Sequence, residues 1–576
     1  MPFPQVVKLN VTGARGVQGA KGDPGGGGNS VASKAALAAI DASNGDSWTM
    51  GAAGAEGTFT WRTGDFTARV ASDPMQGIYI ASTVSGKGAG VGCFVRNWDG
   101  VHGRPEWFGA VTGGADCLAA IHACYAICPV TVFGSDDYWI SDTLILNRSY
   151  RKIMGPFNPD GYGTGHGTRI LSTDGTADVC HLRPDSTPTT TDGYLRNITI
   201  ENINFQHGVT RTLPEVGSEK TAIACLRAQY MIDGRITNVY ANEPVVGFSF
   251  YALIGTHVER CRSFRSASFG SGADIFIGCI TTGVVAPGGL IGNNASLYTY
   301  EMNATCAGDA VSALTADRRV GFWHDGAISD QFHKGQETLG CNIRVSGLGE
   351  TDTTAGSADF FIADAVVDQF TGASYDIQGI GKRGCLRLIN AYAGLPAEAN
   401  SGASPHYAVR MQNIGGNVTI EGGDFYVTPN NNSIGISYES STGVLKLKDP
   451  KLHEFARPIG IDTSKNFDIE ASISCHSNTP LSAVQGAVAL SNAQIGTVEV
   501  SVVGKTDAYP QGVICFNALN NKIKIDPTMI DPACIQGGAT NKVVINSVAI
   551  TAPGNYNSDG TAGTTGDDIF VHGITA

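Results

Sequence analysis

The chain has 576 residues, a formal net charge of −13, 75 glycines and only 16% charged residues, against about 25% charged in an average globular chain. The acidic balance argues against a nucleic-acid partner, which needs a basic face, and no apolar run is long enough to span a membrane. The 14 cysteines are scattered singly with no CxxC pair; they offer no zinc site and read as reduced, buried small hydrophobes of a protein assembled in a cytosol. No metal-ligand cluster stands out, and no cofactor is implied.

In chain order, the first ten residues carry two prolines and an apolar stretch and read as an exposed docking peptide, with no secretion signal at Met1. Gly13, Gly16, Gly19, Gly22 and Gly25 then fall at intervals of three, the period of a collagen triple helix. A run this short would hold only on a protein that is already trimeric. A flexible Gly-rich linker is the equal alternative, because the glycines from Gly25 to Gly28 break the period. Residues 1–29 are thus a docking peptide and a short stem. Residues 30–104 form a small separate domain, with one short helix over 35–42. Alternating strands follow at Gly57-Thr58-Phe59-Thr60-Trp61 and Gly77-Ile78-Tyr79-Ile80-Ala81. Residues 116–126 carry apolar side chains at helical spacing. Short strands follow at Val130-Thr131-Val132-Phe133, Tyr138-Trp139-Ile140 and Thr143-Leu144-Ile145-Leu146. A helix covering the open end of a β-coil, then the first rungs, has this pattern.

From there a short motif recurs: apolar, two small or polar residues, apolar. It runs through Ile200-Glu201-Asn202-Ile203, Ile236-Thr237-Asn238-Val239, Val258-Glu259-Arg260-Cys261, Val345-Ser346-Gly347-Leu348, Ile377-Gln378-Gly379-Ile380 and Ile545-Asn546-Ser547-Val548. Each reads as a β-branched strand, a tight bend and the start of the next strand. Repetition of this kind marks a solenoid, here a parallel β-helix over residues 105–395. Residues 396–576 are β-rich, with strand centres about 20 to 31 residues apart. They continue the coil or form β-sandwich modules that bind carbohydrate or hold a trimer together, with a break expected at 395–405.

The stretch GTFTWRTGDFTARVASDPMQGIYIAS, running into WDGVHGRPEWFGAV, resembles the head-proximal domain of bacteriophage tailspike depolymerases. The helix and strands after it resemble their pectate-lyase-like β-helix. The short N-terminal peptide is similar to that of the second, capsule-degrading tailspike of Klebsiella podophages. The resemblance is specific for residues 57–111 and pattern-level beyond. It implies an all-β chain: a right-handed parallel β-helix in a homotrimer, with a small N-terminal domain and a β-rich C-terminal region. It implies a virion tail protein, made in the host cytoplasm, that binds a bacterial capsular polysaccharide and depolymerises it during host attachment. The N-terminal peptide would dock onto another tail or tailspike protein. A non-catalytic receptor-binding fibre and a polysaccharide lyase acting on a uronic acid are the rival functions. The family has no universal catalytic motif to carry over.

Hydrolysis needs two carboxylates at a set separation; a lyase needs a base and a neutraliser of the sugar carboxylate. Glu201 and Glu259 align in the repeat with Thr237 between them. If no further rung intervenes they stand about 9.6 Å apart, twice the strand spacing. The segment Arg318-Arg319-Val320-Gly321-Phe322-Trp323-His324-Asp325-Gly326, continuing to Asp330, His333, Lys334 and Glu337, lacks the rung pattern and reads as a protruding polar loop. There His324 and Asp325 are candidate acid or base, Trp323 a sugar platform and Arg318 an anion holder. Arg260, Arg262 and Arg265 offer a cationic patch beside Glu259. Tyr298 and Tyr300 share a strand face that could take a sugar.

Overall fold

The computed structural model describes residues 29–156, 167–214, 218–267, 274–285, 291–292, 297–308, 310, 314–326, 331–347, 358–370, 372–395, 405–475 and 488–504, and short stretches between 513 and 572. The docking peptide, the collagen-like triplets and Asp330 lie outside the described residues. The chain divides into two compact units, one up to Asn97 and one from Trp98 onward.

The first unit is a five-stranded mixed sheet in the order Ser30–Val31, Ser47–Met50, Gly57–Thr63, Gly92–Arg96, Tyr79–Ala81. Only its first pair is parallel. The expected helix is present as Lys34–Ala38, capped by the Ser33 hydroxyl. Phe59, Trp61, Ile80 and Phe94 alternate inward and meet Leu37, with the Trp61 and Phe94 rings 4.9 Å apart, edge to face.

The second unit is mostly β and almost entirely parallel, a β-helix of stacked rungs. Helix Leu118–Ile127 packs on the first strands, Val130–Val132 and Leu144–Leu146, and buries Ala120, Ile121, Cys124 and Tyr125. Three ladders carry the rungs. The tyrosine ladder runs through Lys152–Met154, Thr199–Glu201, Arg235–Thr237, His257–Glu259, Tyr298–Tyr300, Gln331–Lys334 and Ala358–Ala363. The groove ladder runs through Ala224–Ile232, Val246–Ile254, Phe276–Val285, Arg319–Gly326, Asn342–Ser346, Ala373–Gln378 and His406–Gln412. A third ladder includes Ile203–His207, Tyr240–Asn242, Arg262–Arg265, Asn303–Cys306 and Glu337–Leu339.

The recurring motif has a backbone cause. Asn202, Asn238, Arg260 and Glu301 sit at φ between 51° and 57° at one corner; Asp233, Gly255, Gly326, Gly347, Gly379 and Asn413 line the other. A left-handed residue turns the chain sharply, and Asn and Gly tolerate it best. The Asn238 amide also donates to Asn202 at 2.7 Å. The last instance is different: Lys542–Ile545 and Val548–Ile550 fold back on each other antiparallel, so Ile545 and Val548 close a hairpin rather than a rung.

Beyond residue 400 the coil continues. Ala373–Gln378 pairs with His406–Gln412, and Tyr392–Leu395 with Asp424–Glu439, both parallel. Parallel pairing persists through Gln494–Gly504 onto Lys522–Ile525 and Lys542–Ile545. No sandwich interrupts it among the described residues. The cysteines from Cys93 to Cys385 are free, and all but Cys385 are buried.

The segment expected to protrude is part of the coil. Arg319–Gly326, Gln331–Lys334 and Glu337–Leu339 are three strands of stacked rungs. The pattern was hidden because the core is polar here. His324 and His333 are both buried, with rings 4.2 Å apart. Thr281 and Gln336 bond the two ring nitrogens of His324, and Thr299 and Gln331 those of His333. Interior histidines and glutamines satisfied by one another fill the place that apolar residues hold elsewhere.

Candidate functional site

The outer face of the groove ladder carries an open groove of about 630 Å³. Its floor is set by register. Trp323, Arg344, Asp376 and Arg410 succeed one another up one column; Asp325, Ser346, Gln378 and Gln412 form the next. Rungs are about 4.8 Å apart and side chains two residues apart share a face, so both columns point outward together.

The polar groups interlock. Ser346 Oγ donates to Asp325 Oδ1 at 2.5 Å and receives the Trp323 indole N–H at 2.8 Å. Lys220 Nζ, from the short helix Glu219–Thr221, reaches Asp325 at 2.7 Å. Asp376 is 4% exposed and is held by Arg410 at 2.9 Å and Arg344 at 3.7 Å. The Gln378 amide adds a bond at 3.0 Å. Burial lowers the Arg344 guanidinium below its ordinary value, with Asp376 opposing. Asp325 and Asp376 stand two rungs and two residues apart. Both lean on the rung between them, Asp325 on Ser346 and Asp376 on Arg344. Two rungs and two residues put their backbones about 12 Å apart, so an inverting role needs both side chains to turn toward the rung between them.

Of the residues singled out from the sequence, Asp325 and Trp323 line this groove. Trp323 is no open platform: it is 9% exposed, with Lys220 Nζ 5.2 Å and Arg344 Cζ 4.9 Å from its ring centroid. His324 points the other way. It is 1% exposed, and burial pushes it down to about 3, so as an acid or base at a sugar it is corrected to a core residue. Arg318 is tied to Glu219 at 3.2 Å and the Asp274 carbonyl at 2.8 Å. It braces the helix that presents Lys220 and does not line the groove.

Glu201 and Glu259 lie where the repeat puts them. Glu201 is in register with Thr237 and Thr237 with Glu259, so two rungs separate them. Each is ion-paired, Glu201 with Lys152 at 2.6 Å and Glu259 with Arg235 at 3.1 Å and Arg260 at 3.6 Å. The cationic patch is divided. Arg260 sits at a corner, Arg262 lies over Phe264 on the third ladder, and Arg265 is buried against Asp274 at 2.5 Å. Tyr298 and Tyr300 share the outer face of the tyrosine ladder as expected. The His257 ring, however, lies 4.9 Å from Tyr298 at 18°, covering one of its faces.

The sequence reading missed Lys220, Arg344, Ser346, Asp376 and Arg410. A signal was available: Asp325-Gly326, Arg344-Val345-Ser346-Gly347, Asp376-Ile377-Gln378-Gly379 and Arg410-Met411-Gln412-Asn413 all put a charge just before a left-handed corner.

No family model matches the sequence, and no curated protein matches it. The chain is structurally similar to phage tailspike proteins. Acinetobacter phage vb_AbaP_AS12 gp42 tailspike aligns with TM-score 0.44 and 11% identity over 91% of this chain and 75% of its own. The enzymatically active domain of bacteriophage CBA120 tailspike protein 2 aligns at 0.34 and 11%, over 95% and 62%. Bacteriophage phi29 gene product 12 aligns at 0.46 and 11%, over 81% and 58%. The chain spans less than two thirds of the latter two. At these scores the likeness adds nothing to the parallel register described above.

Proposed function

We propose that this chain is a phage tailspike subunit that binds a bacterial capsular polysaccharide and cuts it by glycosidic hydrolysis during host attachment. The observation that carries the reading is the pair Asp325 and Asp376 in a groove with Lys220, Arg344 and Arg410. A polysaccharide lying along the coil axis crosses several rungs, and the three cations suit an anionic sugar despite the chain's net negative charge. Asp376, fixed between two guanidinium groups, orients the attacking water and takes its proton. Asp325, once Lys220, 44% exposed, turns from it toward the sugar, takes up a proton from solvent and passes it to the leaving oxygen. The molecule acts as a homotrimer in the virion tail, its N-terminal peptide docked on another tail protein.

A second placement of the same chemistry is Glu201 with Glu259, whose two-rung separation of about 9.6 Å also suits inversion. Incubation with purified capsular polysaccharides tests the function. The expected result is shortening by light scattering, with new reducing ends and no unsaturated product. An unsaturated product would mean a lyase, and binding without shortening would mean a receptor-binding fibre.

A further inference from the structure

On the third ladder, away from the groove, three side chains from successive rungs meet in a line. Tyr426 of strand Asp424–Glu439 is in register with His453 of Val444–Asp462, and His453 with Ser474 of Lys465–Cys475. Ser474 Oγ lies 2.6 Å from His453 Nδ1. The other ring nitrogen, Nε2, lies 3.0 Å from Asp424 Oδ1. With the ring proton on Nε2, His453 donates to Asp424 and accepts from the Ser474 hydroxyl. We propose that Ser474, His453 and Asp424 form a serine-esterase site that hydrolyses small O-acyl esters.

The arrangement meets the geometric test for a nucleophile, its base and a group that orients the base, which holds whatever the order in the chain. Three other histidines of the coil do not. His324 and His333 bond threonine and glutamine inside the core. His181 touches Asp178 at 3.5 Å, but its other nitrogen meets Gln229, not a nucleophile. His453 is 31% exposed and Ser474 is partly exposed, so an incoming ester can reach them from the outer surface. The exposed Tyr426 flanks the line, and Lys451, two residues from His453 on the same face, stands in register between Asp424 and Ser472. Lys451 is the cation available to a developing oxyanion. A shallow outer face suits a short acyl group better than a long chain.

In the reaction the Ser474 oxygen bonds to the ester carbonyl carbon while its proton passes to His453 Nδ1. The oxyanion collapses, the C–O bond to the alcohol breaks, and the alcohol leaves with that proton. Water then attacks the acyl-serine by the same route and releases the carboxylic acid. Asp424 is the positioning residue that holds the ring.

On the function proposed above, the natural ester would be an acyl group on the polysaccharide, but the test does not depend on it. The full chain is treated with a fluorophosphonate probe, the modified residue is located by peptide mass spectrometry, and p-nitrophenyl acetate turnover is measured. The expected result is labelling at Ser474 and a loss of about 10²-fold or more in S474A and H453A. D424N should lose rate and shift the pH profile, while S472A should keep wild-type turnover. Matching melting temperatures exclude misfolding of these exposed variants. An unlabelled Ser474, or S474A at the wild-type rate, overturns the proposal. Ester turnover without any polysaccharide shortening would sink the depolymerase reading and leave this one standing.

Discussion

The groove ladder and the tyrosine ladder are built from the same rungs, the groove ladder with one irregularity between Val320 and Phe322, yet their outer faces differ in kind. On the groove ladder the outward positions carry carboxylates, guanidiniums and hydroxyls whose hydrogen bonds converge on Ser346 and Asp376. On the tyrosine ladder the outward positions begin with the ion pairs of Glu201 and Glu259 and then stack rings. His257 lies on Tyr298, and Phe332 is 6.2 Å from Tyr300 and 6.4 Å from Phe361, which Arg387 covers at 5.5 Å. The scaffold fixes spacing and direction; what is placed on the two outward columns decides between chemistry and cohesion. A polar face keeps its groups available to a ligand, whereas a ring stack spends its faces on its neighbours.

The sharpest break between the two faces is catalytic. D325N and D376N should each lower polysaccharide cleavage by about 10² to 10⁴-fold, the usual reach of acid–base catalysis. E201Q and E259Q on the tyrosine ladder should stay within about threefold, since losing an exposed ion pair costs about 0–1 kcal/mol. Reducing-end assays on one susceptible polysaccharide decide it, and the opposite ranking would move the active site to the glutamates.

Between the two faces lies the polar core, where a pH effect is expected. Burial, and for His333 also the neighbouring His324, holds both imidazoles below their ordinary value, His324 down to about 3. Unfolding frees them to bind protons at about 6.5. The unfolded chain therefore gains protons that the native core refuses as pH falls below that value. Their contribution is complete above about 6.5 and is lost steadily as pH falls below it, for His324 down to about 3, at about 1.4 kcal/mol per pH unit for each histidine still neutral in the native core. Urea unfolding at several pH values measures this slope. A double H324L/H333L variant should lose stability at neutral pH, because Thr281, Thr299, Gln331 and Gln336 lose partners, and its slope below about 6.5 should flatten. An unchanged slope would place the acid sensitivity elsewhere.

These residues also mark how far the sequence could be read. The corners were legible because left-handed backbone favours Asn and Gly, and the Glu201, Thr237 and Glu259 column followed from them. The rung from Arg319 to Gly326 was not, because His324 occupies an inward position that the hydrophobic alternation would assign outward. Asp376 and Arg410 were passed over for a different reason. They lie in rungs far from Lys220 in the chain, and only the stacking brings them together.

The tyrosine ladder gives a milder test. Y298A should cost about 1–3 kcal/mol by lost burial and ring contact, seen as a lower melting temperature. It should leave KM for the polysaccharide unchanged, because the covered ring face offers a sugar no stacking surface. A rise in KM without loss of stability would return Tyr298 to the binding surface and erase the division between the two faces.

The smallest effect is expected at the corner both descriptions share. Asn238 sits at φ 55° and bonds Asn202 across one rung at 2.7 Å. N238A should lose about 1–2 kcal/mol, because alanine pays for a left-handed φ and the bond is gone. N238G relieves the backbone cost but still lacks the amide, so it should fall between wild type and N238A. The gap between the two variants, read by urea unfolding, measures the strain less the glycine's extra unfolded-state entropy, and the gap between N238G and wild type measures the lost amide bonding plus that entropy. If N238A and N238G were equally stable, the corner would owe its position to the strands on either side and not to the residue that turns it.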